Sequence, residues 1–135
     1  MDKTVKDEIR KRVLEAISLV PEGHQTDAVI KEVIRCILYW VLFNRGLRPV
    51  PAFRNPRYPE GPVDIAGLKD DLTVEAAFCS GPTIELDHVK RLERVLCEKK
   101  YVISFSRNQK KVKMSTFYLK PGIEHIQIFE DPAGS

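Results

Sequence analysis

The first 21 residues alternate apolar and charged positions with the period of a helix. Apolar residues recur every three or four positions from Val5 to Val20, and Pro21 follows directly. Residues at this spacing share one face of a helix, and a proline does not continue one. The pattern therefore predicts an amphipathic N-terminal helix over residues 1–21.

A second helix is predicted between residues 26 and 46. Thr26 or Asp27 can cap its start, and Gly46 can supply the left-handed residue that follows many helix ends. Residues 36–43 read CILYWVLF and are apolar on every side. A helix of this kind is normally buried all round, so we expect it to lie between other elements at the centre of the core.

The rest of the chain is dominated by strand-like patterns. Residues 62–68 and 72–78 alternate apolar and polar positions around a short turn, which predicts a β-hairpin. An irregular, proline-rich strand is expected before the hairpin at 47–53, and a third helix capped by Thr83 after it. The last predicted elements are a strand at 101–106, a strand or short helix at 114–119 and a strand at 123–129.

Composition is typical of one folded domain. The chain has 135 residues, of which 43% are hydrophobic and 30% charged, and its net charge is only +3. A chain of this size can form one substantial core, so we expect a single domain over residues 1–135, with the helix at 1–21 and a core at 26–130. The charged N-terminus, the short apolar runs and three cysteines without paired spacing predict a cytoplasmic protein with no membrane partner.

Each strand of the predicted hairpin carries one acid in an otherwise apolar segment. Asp64 lies in the first strand and Glu75 in the second, where regular alternation would put Glu75 on the same face as Ala77. A buried carboxylate needs a cation, a hydrogen-bonding partner or water. Two carboxylates on neighbouring strands could bind magnesium, which would activate water for attack on a phosphodiester. The alternative is that both acids face solvent or form salt bridges with nearby arginines.

The succession of these features is similar to that of a known nuclease superfamily. Over residues 26–106 the chain resembles PD-(D/E)XK nucleases, in having a helix with Glu32, a glycine turn, a strand, the PVDIA segment around Asp64, the VEAAF segment around Glu75, a helix and a strand. The branch it resembles most is that of the archaeal Holliday-junction resolvases. The resemblance implies a restriction-endonuclease-like α/β fold, with a mixed central sheet flanked by helices, here with an extra N-terminal helix.

The resemblance also implies roles for three acids. Asp64 and Glu75 would be catalytic residues that bind the metal ion, Mg²⁺ or Mn²⁺. Glu32 would support the ion from the second helix. All three depend on the two hairpin acids converging on one ion.

The lysine of the superfamily motif is missing. It belongs two residues after the second acid, where this chain has Ala77, and alanine cannot position or deprotonate the attacking water. Lys90, early in the third helix, is the predicted catalytic substitute, and Lys69 in the hairpin turn is a weaker candidate. For either lysine the alternative is an ordinary solvated cation.

Basic residues cluster in two parts of the chain, which predicts contacts with the phosphates of DNA. One cluster flanks the predicted hairpin, and the other gathers at both ends of the strand at 101–106, where it also includes Lys99, Lys100, Arg107 and Lys113. The residues predicted to bind nucleic acid are Arg45, Arg48, Arg54, Arg57, Lys110 and Lys111. An ordinary solvated surface is the alternative for each cluster.

The leading hypothesis is therefore a nucleic-acid-binding, nuclease-like protein, with magnesium-dependent DNA hydrolysis as its ancestral activity and a degenerate or relocated catalytic lysine. The alternative is a catalytically inactive module that keeps the nuclease scaffold for DNA binding or protein assembly and forms a homodimer through its apolar helices. Ala77 favours the inactive module, and the two hairpin acids favour the enzyme. An α/β protein of unrelated role is a third reading, because a fold does not fix a function.

Overall fold

The computed structural model describes residues 3–130 and shows a mixed α/β protein. The helices are α1 (Lys3–Ser18), α2 (Asp27–Asn44), α3 (Leu86–Glu93) and α4 (Gln109–Ser115), with short 3₁₀ turns at Glu22–His24 and Thr116–Tyr118. The strands are β1 (Arg48–Pro51), β2 (Ile65–Leu68), β3 (Val74–Gly81), β4 (Lys99–Ser104) and β5 (Ile123–Gln127).

The five strands form one sheet in the order β1-β2-β3-β4-β5. The first three strands are antiparallel neighbours, and β3, β4 and β5 are parallel neighbours. Parallel neighbours need a crossover connection, which α3 supplies between β3 and β4 and α4 between β4 and β5. The predicted class, a mixed sheet flanked by helices, is confirmed at this level.

Helices cover the sheet with two separate hydrophobic clusters. Helices α1 and α2 pack on one side, where Ile9, Ile34 and Phe78 are all at most 1% exposed. The cluster on the other side includes Val89 of α3 and Val102 of β4, both fully buried. The carboxyl end of β3 therefore lies between α2 and α3, which is where the candidate site is found.

Local capping signals explain most helix boundaries. Thr26 caps α2 as predicted, because its Oγ1 accepts a hydrogen bond from Val29 N. Thr83 does not cap α3; Glu85 begins this helix, and its backbone N donates to Nδ1 of His88. The segment predicted as a strand or short helix is helical, since Asn108 accepts from Lys111 N and caps α4.

The prediction that α2 lies between other elements is wrong. One side of the helix is buried on the sheet through Ile34 and Leu38, but the opposite side faces solvent. Trp40 is 46% exposed and Phe43 is 64% exposed there. Helix α1 packs beside α2 rather than over it, so the apolar outer side has no cover within residues 3–130. No helix in that range is long and apolar enough to span a bilayer.

Candidate functional site

A β-bulge interrupts the predicted hairpin at its second acid. Gly67 pairs with Ala76 and Leu68 pairs with Val74, which leaves Glu75 as the extra residue of β3. In a bulge of this kind two residues oppose one, and the regular alternation of side chains is broken. The alternation that would put Glu75 on one face with Ala77 is therefore lost, and Glu75 lies at the amino end of β3.

Asp64, which directly precedes β2, lies beside the other end of β3. Its carboxylate accepts hydrogen bonds from the backbone N and the Oγ of Ser80, the seventh of the eight residues of β3. Five residues separate Ser80 from Glu75, or about 16 Å along a strand. Ligand oxygens of one magnesium ion lie within about 5 Å of each other. The structure therefore does not bring Asp64 and Glu75 together at one ion.

One oxygen of the Asp64 carboxylate, Oδ2, is bound by three donors of the protein. It accepts from Ser80 N at 3.0 Å, from Ser80 Oγ at 2.6 Å and from Lys31 Nζ at 3.0 Å. Lys31 also donates to the backbone O of Ser80. Ser80 is 1% exposed, so both of its donors depend on this carboxylate. Asp64 thus joins the end of β3 to α2 through one ammonium group.

Lys31, not Glu32, is the residue that α2 directs at the site. Consecutive helical residues point about 100° apart, so only one of them can face Asp64. The carboxylate of Glu32 is 62% exposed and pairs with Arg35 on the outer side. The sequence did contain a signal for Lys31, since it lies three and seven residues before the buried Ile34 and Leu38 and so shares their face.

Glu75 is bound by lysines at its own end of β3. Lys99 donates to its carboxylate, and Lys69 Nζ lies 3.9 Å from Glu75 Oε1. The hydrogen bond from Lys99 and the charges of both lysines hold the pKa of Glu75 below its ordinary value. The salt-bridged alternative describes Glu75 best, although the partners are lysines rather than arginines. Lys90 is exposed on α3, and its charge acts on Glu60.

Two further groups next to Asp64 are kept neutral. Burial raises the pKa of the Cys79 thiol to about 12, and the negative charge of Asp64 adds to the effect. Burial lowers the pKa of His88, whose Nδ1 already accepts from Glu85 N. A neutral buried thiol is a poor nucleophile. Cys79 is therefore a packing residue, in agreement with its place in the cluster beneath α3.

The donor set for a hydrolytic metal is not assembled. Across residues 3–130, no group of three or more His, Cys, Asp or Glu side chains is placed to hold a metal ion. Asp64 has Lys31 where a nuclease would need a cation, Glu75 is at the far end of β3, and Glu32 points outward. These residues do not fit a magnesium ion, and no hydrolytic step follows from their arrangement.

The first predicted basic cluster is largely tied to other protein groups. Arg45 pairs with Glu8 at 2.8 Å, and Arg48 lies 3.7 Å from Asp70. Arg54 donates to the backbone O of Tyr58. Arg57 is exposed. The acids among these partners reduce the positive field on this side of the protein.

The second basic cluster forms an acid-free surface. Residues 107–120 contain Arg107 and four lysines but no Asp or Glu. Lys110, Lys111 and Lys113 are exposed on α4 and form no ion pair with any residue of the described part of the chain. We call residues 107–120 the basic segment. The lysines of α4 face solvent without an ion-pair partner in residues 3–130, whereas Lys120 at the end of the segment pairs with Glu93 at 3.3 Å.

A polar groove lies between the basic segment and the start of α2. The groove has a volume of about 540 Å³ and lies beyond the carboxyl ends of the parallel strands β3 and β4. Its walls include Asp27 at the start of α2, Pro82 after β3, and Arg107 and Lys111 of the basic segment. Crevices beyond the carboxyl ends of parallel strands are common ligand sites in α/β proteins. Pro82 is two residues from Ser80, the partner of Asp64 and Lys31.

Comparisons with protein-family models, with curated proteins and with solved structures gave no match for this chain.

Proposed function

We propose that this protein is a catalytically inactive, nuclease-like module that binds nucleic acid through its basic segment. The single observation that carries the inactive reading is the bonding of Asp64 to Lys31 and Ser80 in place of a second acid. We also infer a restriction-endonuclease-like fold with an added N-terminal helix. The order of a helix, three antiparallel strands, a helix and a parallel strand supports that inference.

The ion pair replaces a metal site with a structural link. In a nuclease the acid of the first hairpin strand binds a divalent cation, which needs further oxygen ligands and an open position for water. Here the ammonium of Lys31 neutralises Asp64, and Ser80 takes up the same oxygen. A metal ion at Oδ2 would have to displace three hydrogen bonds, and Glu75 and Glu32 lie elsewhere and could not add a second carboxylate. Such an exchange is unfavourable, which supports loss of hydrolysis.

The basic segment has the properties of a phosphate-binding surface. Lysine and arginine side chains that displace counterions from phosphates supply most of the affinity of non-specific nucleic-acid binding. The exposed lysines of α4 form no ion pair with an acid of residues 3–130, although Asp27 lines the same groove as Lys111. A net charge of only +3 means that this local concentration, rather than the average field, would attract the backbone.

Large apolar side chains stand among these cations. Phe117 is 87% exposed and Met114 is 70% exposed, and both follow α4 at helical spacing from Lys110. Aromatic rings beside cations bind unpaired bases by stacking. This surface therefore favours single-stranded DNA or RNA over a continuous duplex.

A binding titration tests the proposal. Fluorescently labelled single-stranded and duplex DNA and single-stranded RNA would be titrated at several salt concentrations with the wild type and with Lys110→Glu/Lys111→Glu. We expect the double variant to bind about 100-fold more weakly and to lower the salt slope by about 1.5, since two phosphate contacts are lost. Lys11→Glu/Lys90→Glu changes the net charge equally at other exposed sites and should bind almost normally. Equal losses in both variants would refute the basic segment as the interface.

A cleavage panel tests the absence of hydrolysis. Linear, supercoiled and branched DNA would be incubated with the protein and magnesium or manganese, with Asp64→Ala as the control. We expect no cleavage by either protein under conditions where binding is measurable. Cleavage by the wild type that Asp64→Ala abolishes would show that the site is an active nuclease.

The free thiols of Cys36, Cys79 and Cys97 support our inference of a reducing, cytoplasmic setting for such binding.

A further inference from the structure

The outer side of α2 carries a continuous apolar stripe that the fold leaves uncovered. Val29, Val33, Cys36, Trp40 and Phe43 follow one another at intervals of three or four residues, the spacing of one helical face. We call these five residues the outer stripe. Their spacing explains why α2 is apolar on every side although only one side is buried on the sheet.

Helix α1 extends this stripe into a broader face. Ala16 and Leu19 of α1 line a shallow groove of about 550 Å³ together with Val29, Val33 and Cys36. A second groove continues along the helices to Trp40. Leu19 is 84% exposed. Contiguous apolar surface of this extent is uncommon on a protein that functions without a partner and marks interaction sites.

The chemistry of the face argues against a small-molecule or highly charged ligand. Small ligands need a few convergent polar groups to orient them, and the wall of the larger groove is almost wholly apolar. The charges at its margins balance, because Arg12 and Glu15 lie on α1 and Glu32 and Arg35 on α2. A margin with balanced charges would not attract a strongly acidic or basic partner electrostatically.

These properties fit a second copy of the same chain. We propose that two copies associate through the outer stripe and the adjoining face of α1 to form a two-fold symmetric dimer. A two-fold interface uses one patch twice, so the patch must be compatible with itself. A margin with an equal number of acids and bases meets that requirement, since neither copy presents a surplus of one charge to the other.

The size of the face is sufficient for a stable dimer. Helices of 16 and 18 residues lying side by side present an outline about 25 Å long and about 20 Å wide. A standard interface buries about 800 Å² of accessible surface on each partner, and an outline of roughly 500 Å² covered by side chains is of that order when the polar outer side of α1, which includes Lys11 and Glu15, forms part of the rim. Trp40 is suited to the centre of such an interface, where tryptophan is enriched. Arg12 already lies over its ring, 4.3 Å from the ring centre.

Analytical ultracentrifugation of the full chain tests the dimer. From about 1 µM to about 200 µM protein, we expect the wild type to reach twice the 15.5 kDa chain mass. Leu19→Glu and Phe43→Lys should each weaken association by at least about 100-fold, because each places two charges in one apolar interface. Both residues are exposed in the single chain, so their replacement should leave folding intact. Leu96→Glu is the matched control, since Leu96 is 93% exposed elsewhere, and it should remain dimeric.

The labelling rate of Cys36 gives a second, independent measurement. Cys36 is an exposed thiol within the outer stripe. Its reaction with a maleimide should slow as the wild-type concentration rises and should not slow for Leu19→Glu. A wild type that stays monomeric at the highest concentration would overturn the proposal and leave the face to a different protein partner. If both Leu19→Glu and Phe43→Lys remain dimeric, and Cys36 still reacts at the same rate in the dimer, the proposal is overturned as well.

Discussion

Replacing Asp64 by alanine should lower the free energy of unfolding by more than replacing Glu75 does. The substitution removes the acceptor of three hydrogen bonds, two of which come from the buried Ser80. A buried donor left without a partner costs about 1–3 kcal/mol. Lys31 is 40% exposed along its side chain and can turn to water, so it adds little. The expected loss in the free energy of unfolding is therefore about 3 kcal/mol.

Glu75→Ala is the matched control for this loss. Glu75 also pairs with lysines, but Lys69 and Lys99 are partly exposed and can be hydrated when the carboxylate is removed. The expected cost is about 0.5–1 kcal/mol. For a chain of this length 1 kcal/mol corresponds to roughly 4 °C in Tm. Calorimetry should therefore show a fall of about 12 °C for Asp64→Ala and about 3 °C for Glu75→Ala.

The comparison separates a structural acid from a catalytic one. Acids held for metal binding repel each other when the ion is absent, so their removal leaves stability unchanged or raises it. An Asp64→Ala protein as stable as the wild type would refute the link between α2 and β3. A double-mutant cycle of Lys31→Met with Asp64→Asn should give a coupling energy of about 1 kcal/mol, the range found for partly exposed pairs. Additive effects would contradict the ion pair itself.

Three further predictions follow from other parts of the structure. Burial and the charges of Lys6 and Arg10 lower the pKa of His125 to about 4, below its value near 6.5 in the unfolded chain. The free energy of unfolding should therefore be highest above about pH 6.5 and should fall as the pH decreases towards 4. Chemical denaturation across that range should show a smaller slope in His125→Gln, with the remainder due in part to the buried His88, and an unchanged slope would contradict the assignment. A Cβ at Gly81 would lie 2.6 Å from Cε1 of the buried His88, so Gly81→Ala should lower the free energy of unfolding by about 2 kcal/mol. Gly23→Ala, where nothing lies within 4 Å of the added Cβ, should change it little in the same unfolding assay. Phe117→Ala should weaken single-strand binding about tenfold and duplex binding much less, with Tm unchanged; an equal loss for both would exclude stacking.

The sequence by itself determined the elements and the class of the fold. Helical spacing and the Thr26 cap predicted α1 and α2, because both depend on residues close together in the chain. The alternation on both sides of residues 69–71 predicted the β2–β3 hairpin for the same reason. Lys110 and Lys111 could also be chosen from sequence, since an acid-free run stays positively charged however it folds.

Tertiary structure alone decided how the candidate site is put together. The bulge at Glu75 depends on the pairing of two strands and breaks the alternation of faces there, while the register of the hairpin places Asp64 beside the opposite end of β3. Whether Lys31 or Glu32 faces Asp64 depends on how α2 is rotated about its axis against the sheet. Neighbouring residues of a helix point about 100° apart, so only one of the two can face the site. Local patterns fix periodicity, but register and rotation are set by packing between distant segments, and the chemistry of this site depends on both.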